Sequence, residues 1–350
     1  MIREGQIGQS PAVRGVAAPR ASWLAPALAV AVLAAMLFAL AVGSVAVPLT
    51  QILRGVSGLS RDEVATRILF DTRLPRILLA GSVGAMLAIA GLASQTLFRN
   101  PLATPSIIGV SNGAALGAVI GGLLGTRIGG FSYEMSAGLS VLGGFGTTGL
   151  VYALGRRGPY YGNTLLLAGI AIAALCSALT TACLYLAGER LQSIVFWLMG
   201  GLWQANWRQV SLVAPLALAG LATMVVWSRD LNAALLGERS ARDVGLDLPR
   251  LQLRLLALIA VLTSVAVCVS GVIGFVGLIV PHLLRLIAGA DHRRLILPVA
   301  LAGALLLIVA DTAARTLASP AEIPVGIFTA VTGAPVFLWM LQKRRPAGAP

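Results

Sequence analysis

Long apolar runs alternate with short charged segments along most of this chain. Uncharged runs occupy residues 23–47, 77–98, 102–126, 135–154, 163–188 and 209–228, and two further apolar runs, 295–318 and 323–342, form a hairpin near the C-terminus. A helix needs about 20 predominantly apolar residues to cross the hydrocarbon core of a bilayer. Each run reaches that length, so the pattern predicts eight membrane-spanning helices.

Two other segments need an argument beyond length. The segment 191–206 is apolar but short and contains two tryptophans. Because tryptophan prefers the headgroup level, we expect an interfacial or partly inserted helix there. The segment 255–290 would measure about 54 Å as a single helix, which is too long for one span. Basic loops flank it on both sides and belong on the same side of the membrane, so it must turn back, with Gly271 and Gly274 as the expected bend. The total is then ten spans.

The composition agrees with a membrane protein. Of the 350 residues, 57% are hydrophobic and only 11% are charged, whereas soluble proteins carry about 25% charged residues. The three cysteines lie inside apolar runs and are interpreted as small buried side chains, so no metal site is expected. The fold class predicted is an all-α membrane protein of about ten transmembrane helices. A cytoplasmic tail is expected at 1–22, a single transmembrane domain at 23–345 and a short tail at 346–350.

The positions of the arginines orient the predicted spans. A net charge of +13 would suggest a nucleic-acid partner in a soluble protein. In a membrane protein, basic residues instead mark the cytoplasmic loops. We expect this chain to be surrounded by membrane lipid and to bind no nucleic acid. Placing both termini in the cytoplasm puts most of the basic residues on the inner side of a bacterial inner membrane. Residues 48–76 nevertheless carry five arginines on the outer side. That violation of the rule requires a separate reason.

Five short motifs stand out against the apolar background. They are RLPR at 73–76, FRNPLATP at 98–105, GERSARDVG at 237–245, GFVGLIVPH at 274–282 and APVF at 334–337. The first opens a helix through a proline, which costs no hydrogen bond in the first turn. The third lies in a 27-residue loop, 228–254, that mixes charges with leucines. This loop is too long for a turn and too amphipathic for a linker, so one or two short surface helices are expected.

Together these motifs resemble the FecCD-type permeases, the membrane subunits of ATP-driven importers of iron-siderophores, haem and cobalamin. The resemblance covers residues 23–345. It implies the type II ABC importer fold, like that of the cobalamin permease, with ten helices per subunit and both termini cytoplasmic. It also implies a homodimer, two ATP-binding cassette subunits that carry ATP and Mg, and a periplasmic substrate-binding protein. No cofactor is implied on this chain. Its only lysine is Lys343, so it cannot form the P-loop of an ATPase.

The resemblance carries three sets of site residues onto this sequence. Arg73, Arg76 and Arg315 would pair with glutamates of the binding protein; the alternative is that they are interfacial arginines that snorkel to the surface. The loop 228–254 would seat on the ATPase through Leu235, Gly237, Glu238, Ser240, Ala241, Arg242 and Gly245; the alternative is a plain solvated loop. Asn100, Leu102, Gly162 and Asn163 would line a cytoplasmic gate, although the last two replace the Ser and Thr of known relatives.

Several alternatives remain open at the level of the sequence. His282 and His292 invite a role in haem ligation, but a structural role is favoured for each. Asp311 lies inside a span and is a functional candidate, or it forms a local ion pair with Arg315 one turn on. An ion-coupled secondary transporter would need more carboxylates at mid-membrane, and an intramembrane hydrolase would need a nucleophile beside His282. Haem is the favoured cargo, followed by siderophores and then cobalamin.

Overall fold

The chain folds into a bundle of helices. A computed structural model describes residues 21–43, 67–127, 133–155 and 161–343. These residues contain thirteen α-helices and no β-strand. The helices are α1 (Leu24–Ala41), α2 (Leu74–Leu97), α3 (Val110–Arg127), α4 (Tyr133–Gly155), α5 (Tyr161–Tyr185), α6 (Leu191–Leu198), α7 (Trp207–Val226), α8 (Ser228–Leu235), α9 (Glu238–Asp243), α10 (Leu248–Ser270), α11 (Val276–Ala288), α12 (His292–Thr316) and α13 (Val325–Lys343).

Ten of these helices account for the ten predicted spans. Among the described residues, seven helices are long and apolar enough to cross a membrane, and α3, α11 and α13 are shorter apolar helices in sequence with them. The remaining three, α6, α8 and α9, have six to eight residues each. They are too short to cross a bilayer. The expected turn inside 255–290 is confirmed, because α10 ends at Ser270 and the backbone stays non-helical until Val276, with Gly271 at φ 64°.

Helix α2 is the centre of the bundle. Of its most apolar stretch, 78% is buried, whereas 11% of α1 is. Helices α12, α10, α7 and α11 all pack against α2. Glycines permit the closest of these contacts, since a Cβ on Gly91 would overlap the backbone carbonyl of Gly277 on α11. Small residues allow membrane helices to approach in this way and gain dispersion contacts. Helix α1 lies at the periphery, with an apolar surface suited to lipid.

One predicted span begins later than its apolar run. The run 102–126 is long enough for a spanning helix, but α3 starts at Val110, and residues 98–109 form an irregular segment with a single 3₁₀ turn at Pro105–Ile108. Pro101 and Pro105 explain the difference, because proline removes a helical hydrogen bond and restricts the residue before it. Irregular backbone at membrane depth requires burial in protein or a polar cavity.

The connections define two ends of the bundle. The arginine end carries Arg73, Arg76 and Arg315, together with the start of α2 and the end of α12. The loop end carries the segment 228–254, the end of α2 and the start of α12. These two names are used below.

Candidate transport site

Arg76 at the arginine end is held between two carboxylates. Its Nε lies 3.0 Å from Asp311 Oδ2 and its Nη2 lies 2.9 Å from Asp311 Oδ1. On its other edge, Nη1 and Nη2 donate to the two oxygens of Glu322 at 3.1 and 3.0 Å. Two-pronged pairs of this kind are the strongest that a guanidinium forms. The side chain of Asp311 is 2% exposed and that of Glu322 is 37% exposed, so one partner is internal and the other faces the surface.

Arg73 and Arg315 instead secure the end of α1. Arg73 Nη1 donates to the carbonyl of Leu40 at 2.6 Å, and Arg315 Nη2 donates to the carbonyl of Ala39. These carbonyls belong to the last turn of α1, where no helical N–H is available to them. Cations are also favoured there by the helix dipole. All three arginines are buried, and their role in docking stays a prediction.

The expected partner of Asp311 was wrong. The sequence suggested an ion pair with Arg315, four residues on, but the carboxylate pairs with Arg76, which is 235 positions away. The guanidinium of Arg315 contributes to the same charge cluster, although it bonds to α1. Helical spacing brought Asp311 and Arg315 near each other, and the packing of α2 against α12 determined which arginine reached the carboxylate.

Two broken segments line a cavity of about 260 Å³ near the middle of the bundle. One segment, at Thr104–Ser106, precedes α3, and the other, at Ile273–Phe275, precedes α11. Phe275 adopts a left-handed conformation with φ 67°, which is uncommon for a bulky residue and clusters at functional sites. Interrupted helices at mid-membrane are the usual place for a transporter to handle its cargo. We therefore assign this cavity to the candidate pathway.

A second cavity, of about 270 Å³, lies next to the first. Ser111 lines both. Asn112, Ser177 and Thr180 line the second, and Asn112 Nδ2 donates to Ser177 Oγ at 2.7 Å, joining α3 to α5. The polar lining is neutral, with hydroxyl and amide groups only. Sequence reasoning missed these residues; prolines 101 and 105 and glycines 271 and 274, which interrupt two apolar runs, were the signal that could have found them.

The predicted gate residues fall at the loop end. Asn100 and Leu102 belong to one tight turn after α2, closed by a 2.9 Å hydrogen bond from the backbone N–H of Leu102 to Asn100 Oδ1. This turn, residues 98–102, is called the gate turn below. Gly162 and Asn163 lie in the first turn of α5, and their side chains lie outside the described set. The role of all four residues in a gate, including the two in the gate turn, stays a prediction.

The predicted coupling segment contains two short helices, as expected. Helix α8 runs on from α7, and α9 follows Gly237, whose φ is 102°. Ala241 is fully buried and Leu235 is half-buried, so they hold the segment against the bundle, whereas Ser240, Arg242 and Gly245 are exposed. Glu238 opens α9, and its side chain lies outside the described set. Leu236 and Val244 add apolar surface, at 66% and 65% exposure.

Both histidines are buried in the structure. His282 lies in the middle of α11 with 3% of its surface exposed. His292 begins α12 and contacts Thr96 and Asn232. Among the described residues, no three His, Cys, Asp or Glu side chains gather in a way that would hold a metal ion. The contacts of His292 join α12 to α2 and α8.

The fold and site together define a polytopic membrane transport protein. Its described residues contain seven helices long enough to cross a membrane, three shorter apolar helices, a cavity with a neutral lining and two short helices at the loop end. The chain belongs to the FecCD transport family, whose pattern matches residues 31–343. This confirms the family that the motifs indicated. The family consists of membrane permease subunits of ABC importers for metal chelates, and this chain is a multi-pass permease of that type.

Individual relatives agree with this assignment. The chain is 41% identical over 328 residues to the hemin transport system permease protein HmuU of Yersinia pestis, covering 91% of this chain and 97% of that one. It is 42% identical over 284 residues to the cobalamin import system permease protein BtuC of Halobacterium salinarum, covering 81% and 75%. An inward-facing structure of a metal-chelate type ABC transporter superposes with a TM-score of 0.82 at 34% identity, covering 92% and 99%. The type II importer fold is thereby confirmed.

Proposed function

We propose that this chain is the permease of a haem importer, which receives haem from a periplasmic binding protein and releases it to the cytoplasm. The observation that carries the proposal is the neutral lining of the two cavities that share Ser111. A large metal chelate needs a wide path in which no side chain captures the metal. The described cavity walls offer hydroxyl, amide and apolar groups to such a cargo. The similarity to a hemin permease over nearly the whole chain favours haem as the cargo.

The same geometry suits cobalamin or an iron-siderophore, which are also bulky chelates. The relative named for cobalamin import is as similar per aligned residue as the hemin permease, but it is matched over less of its length. Haem is therefore favoured because the match to the hemin permease covers more of both chains. A transport assay identifies the cargo. In proteoliposomes that contain this chain, its ATPase and its binding protein, we expect haem to accumulate in preference to a ferric siderophore or cobalamin. Uptake of only a non-haem chelate would contradict haem as the cargo.

The motor in this proposal is a pair of separate ATP-binding cassette subunits at the loop end. The exposed face of α8 and α9 supplies the contact, with Leu236 and Val244 as apolar anchors beside Arg242. Exposed leucine and valine surrounded by charges is typical of a protein contact rather than of a solvated loop. A homodimer would complete the path, because each subunit would then supply one wall. Both termini would lie in the cytoplasm, and the arginine end would face the periplasm of a bacterial inner membrane.

The binding protein would dock at the arginine end. Three guanidinium groups, of Arg73, Arg76 and Arg315, lie close together there with the carboxylates of Asp311 and Glu322. Guanidinium groups suit a partner that presents carboxylates. Because Glu322 is the exposed partner of Arg76, an incoming carboxylate would take its place. Docking would then be an exchange of one carboxylate for another, with Asp311 still in position.

The secondary-transporter alternative depends on Asp311. A coupling carboxylate must gain and lose an ion during the cycle. Asp311 is buried and held by Arg76 through two short bonds near one end of its helix, which favours a carboxylate with a fixed structural role. The hydrolase alternative would require a nucleophile within reach of His282, in the middle of α11. ATP-driven transport accounts for the surface helices α8 and α9, and neither alternative does.

A further inference from the structure

A chain of hydrogen bonds joins three helices at the loop end. The ring of His292, at the start of α12, lies with Nε2 2.8 Å from Thr96 Oγ1 on α2 and Nδ1 2.9 Å from Asn232 Oδ1 on α8. Asn232 Nδ2 lies 2.7 Å from Asp291 Oδ1. Thr96 and His292 are buried, at 2% and 0% exposure. These four side chains are called the relay below.

The bonding partners determine the polarity of the relay. The carboxylate of Asp291 only accepts, so the amide nitrogen of Asn232 must face it. The backbone N–H of His292 only donates, and it lies 2.9 Å from Asn232 Oδ1. The orientation of the amide is thus determined from both sides. Nδ1 of His292 must then carry the proton that it donates to Asn232 Oδ1, and in the neutral ring Nε2 can only accept. The Thr96 hydroxyl, 2.8 Å away, has one proton, for which Nε2 competes with the carbonyl of Leu92 at 2.9 Å.

Asp291 keeps its charge at the end of this chain. Partial burial acts to raise the pKa of Asp291, but the hydrogen bonds from Asn232 and from the backbone of Arg293, with the charges of Arg293 and Arg294, outweigh it. The pKa therefore lies below its ordinary value. An ionised carboxylate is a stronger acceptor than a neutral group, so it holds the amide of Asn232 firmly.

One end of the relay lies on α8, where the ATPase is proposed to bind, and the other end lies beside the gate turn. Asn232 lies on α8, whose neighbouring residue Leu231 is fully buried against the bundle. Thr96 lies one residue before the end of α2, and its carbonyl accepts from the backbone N–H of Arg99 at 3.2 Å, within the gate turn. The backbone N–H of Asn100 bonds to the carbonyl of Gln95 at 3.1 Å. A displacement of Thr96 must therefore move the gate turn.

We infer that His292 is a positioning residue that transmits the movement of α8 to the gate turn. Apolar contacts slide past one another, whereas a buried hydrogen bond cannot be broken without leaving polar atoms unpaired, at a cost well above its net contribution to stability. Helix α8 therefore cannot shift alone, because the relay displaces the ends of α12 and α2 with it. This inference rests on the proposed seating of an ATPase on α8 and α9.

The test removes the hydroxyl of the relay and keeps its volume. Thr96→Val in the full complex with the ATPase and binding protein should still hydrolyse ATP, but the haem imported per ATP hydrolysed should fall about fivefold or more, the usual range of a coupling between sites. Thr96→Ser keeps the hydroxyl and should restore the ratio. Asn232→Leu should behave as Thr96→Val does, and it answers the question if the valine variant fails to assemble. Equal loss of hydrolysis and transport, or an unchanged ratio, would contradict the relay.

A second measurement is independent of the cargo. In a chain with Leu102→Cys in the gate turn, ATP should change the rate at which a thiol reagent labels that cysteine. The change should disappear when Thr96→Val is added and return with Thr96→Ser. An ATP response that survives Thr96→Val overturns the relay. Failure of the unmodified complex to import haem, with the labelling response intact, would instead contradict the proposed cargo and leave the relay supported.

Discussion

Arg76 on α2 and Asp311 on α12 form a buried ion pair across 235 positions of sequence, with N–O distances of 2.9 to 3.1 Å. This pair connects the central helix to the helix that packs against it most extensively, at the end where α1 is also secured. Its other edge is occupied by Glu322, at the surface. The pair thus serves both packing and the proposed docking, and the two roles are separable by mutation.

Replacing Asp311 should destabilise the bundle strongly. Asp311→Ala leaves Arg76 without its internal partner, and losing one member of a buried pair costs about 3–5 kcal/mol. The melting temperature of the detergent-solubilised chain should therefore drop markedly. Arg208→Gln is the matched control, since it breaks the exposed pair with Glu134, in which the side chains are 84% and 69% exposed; such pairs contribute about 0–1 kcal/mol. Equal melting temperatures for the two variants would show that the buried pair does not stabilise the bundle.

Replacing Glu322 should strengthen docking. Glu322→Gln removes the surface carboxylate that occupies Arg76, so an incoming carboxylate no longer has to displace it. We expect the binding protein to bind the purified permease about tenfold more tightly, equivalent to about 1.4 kcal/mol. Surface-immobilised permease titrated with the binding protein measures this. The control is Glu134→Gln, which removes an exposed carboxylate on α4 and should leave affinity nearly unchanged. Weaker binding by Glu322→Gln would mean that Glu322 contacts the binding protein itself.

A side chain at Gly91 should prevent close packing of α2 and α11. The Cβ of Gly91→Ala would overlap the carbonyl of Gly277, and backbone cannot give way as a flexible side chain does. Overpacking typically costs about 1–3 kcal/mol. A lower yield of folded protein and a lower melting temperature are expected. At Gly138 a Cβ meets nothing within 4 Å, so Gly138→Ala should be neutral or stabilising by up to about 1 kcal/mol. If both variants behave alike, the close contact is not as tight as described.

An acidic residue on the exposed face of α8 and α9 should disrupt pairing with the ATPase. Leu236→Asp places a charge where we expect a buried apolar contact, and the cost of burying it should reduce co-purification of the two subunits severely. Leu186→Asp is the comparison, because Leu186 is also exposed, at 75% against 66% for Leu236, but lies beyond the end of α5, away from this segment. If the Leu236→Asp variant still co-purified with the ATPase, the exposed face of α8 and α9 would not be part of the interface.

The sequence was sufficient for the spans, because bilayer thickness imposes a length on every crossing helix. It also located the turn at Gly271, where two basic loops had to share a side. Pro101 and Pro105 delay the start of α3, and the break that they cause can be predicted from the sequence. Hydropathy could not predict which residues that are distant in sequence pair with each other in the folded bundle.

The candidate site was harder to predict from the sequence, because it also depends on contacts between distant residues. Asp311 was noticed as an intramembrane charge, but its partner came from the packing of α2 on α12. Similarly, His292 was assigned a structural role without Thr96 or Asn232, which lie 196 and 60 positions away. Local spacing predicts neighbours on one helix, and contacts between helices depend on how the bundle closes.

The most direct test of the account is whether transport needs the separate motor. Vesicles that contain this chain and the binding protein, with ATP on the cytoplasmic side, should accumulate haem when the ATPase subunit is present and not when it is omitted. An imposed proton or sodium gradient should not replace ATP. Accumulation driven by such a gradient without the ATPase would contradict the account and establish the chain as a secondary transporter.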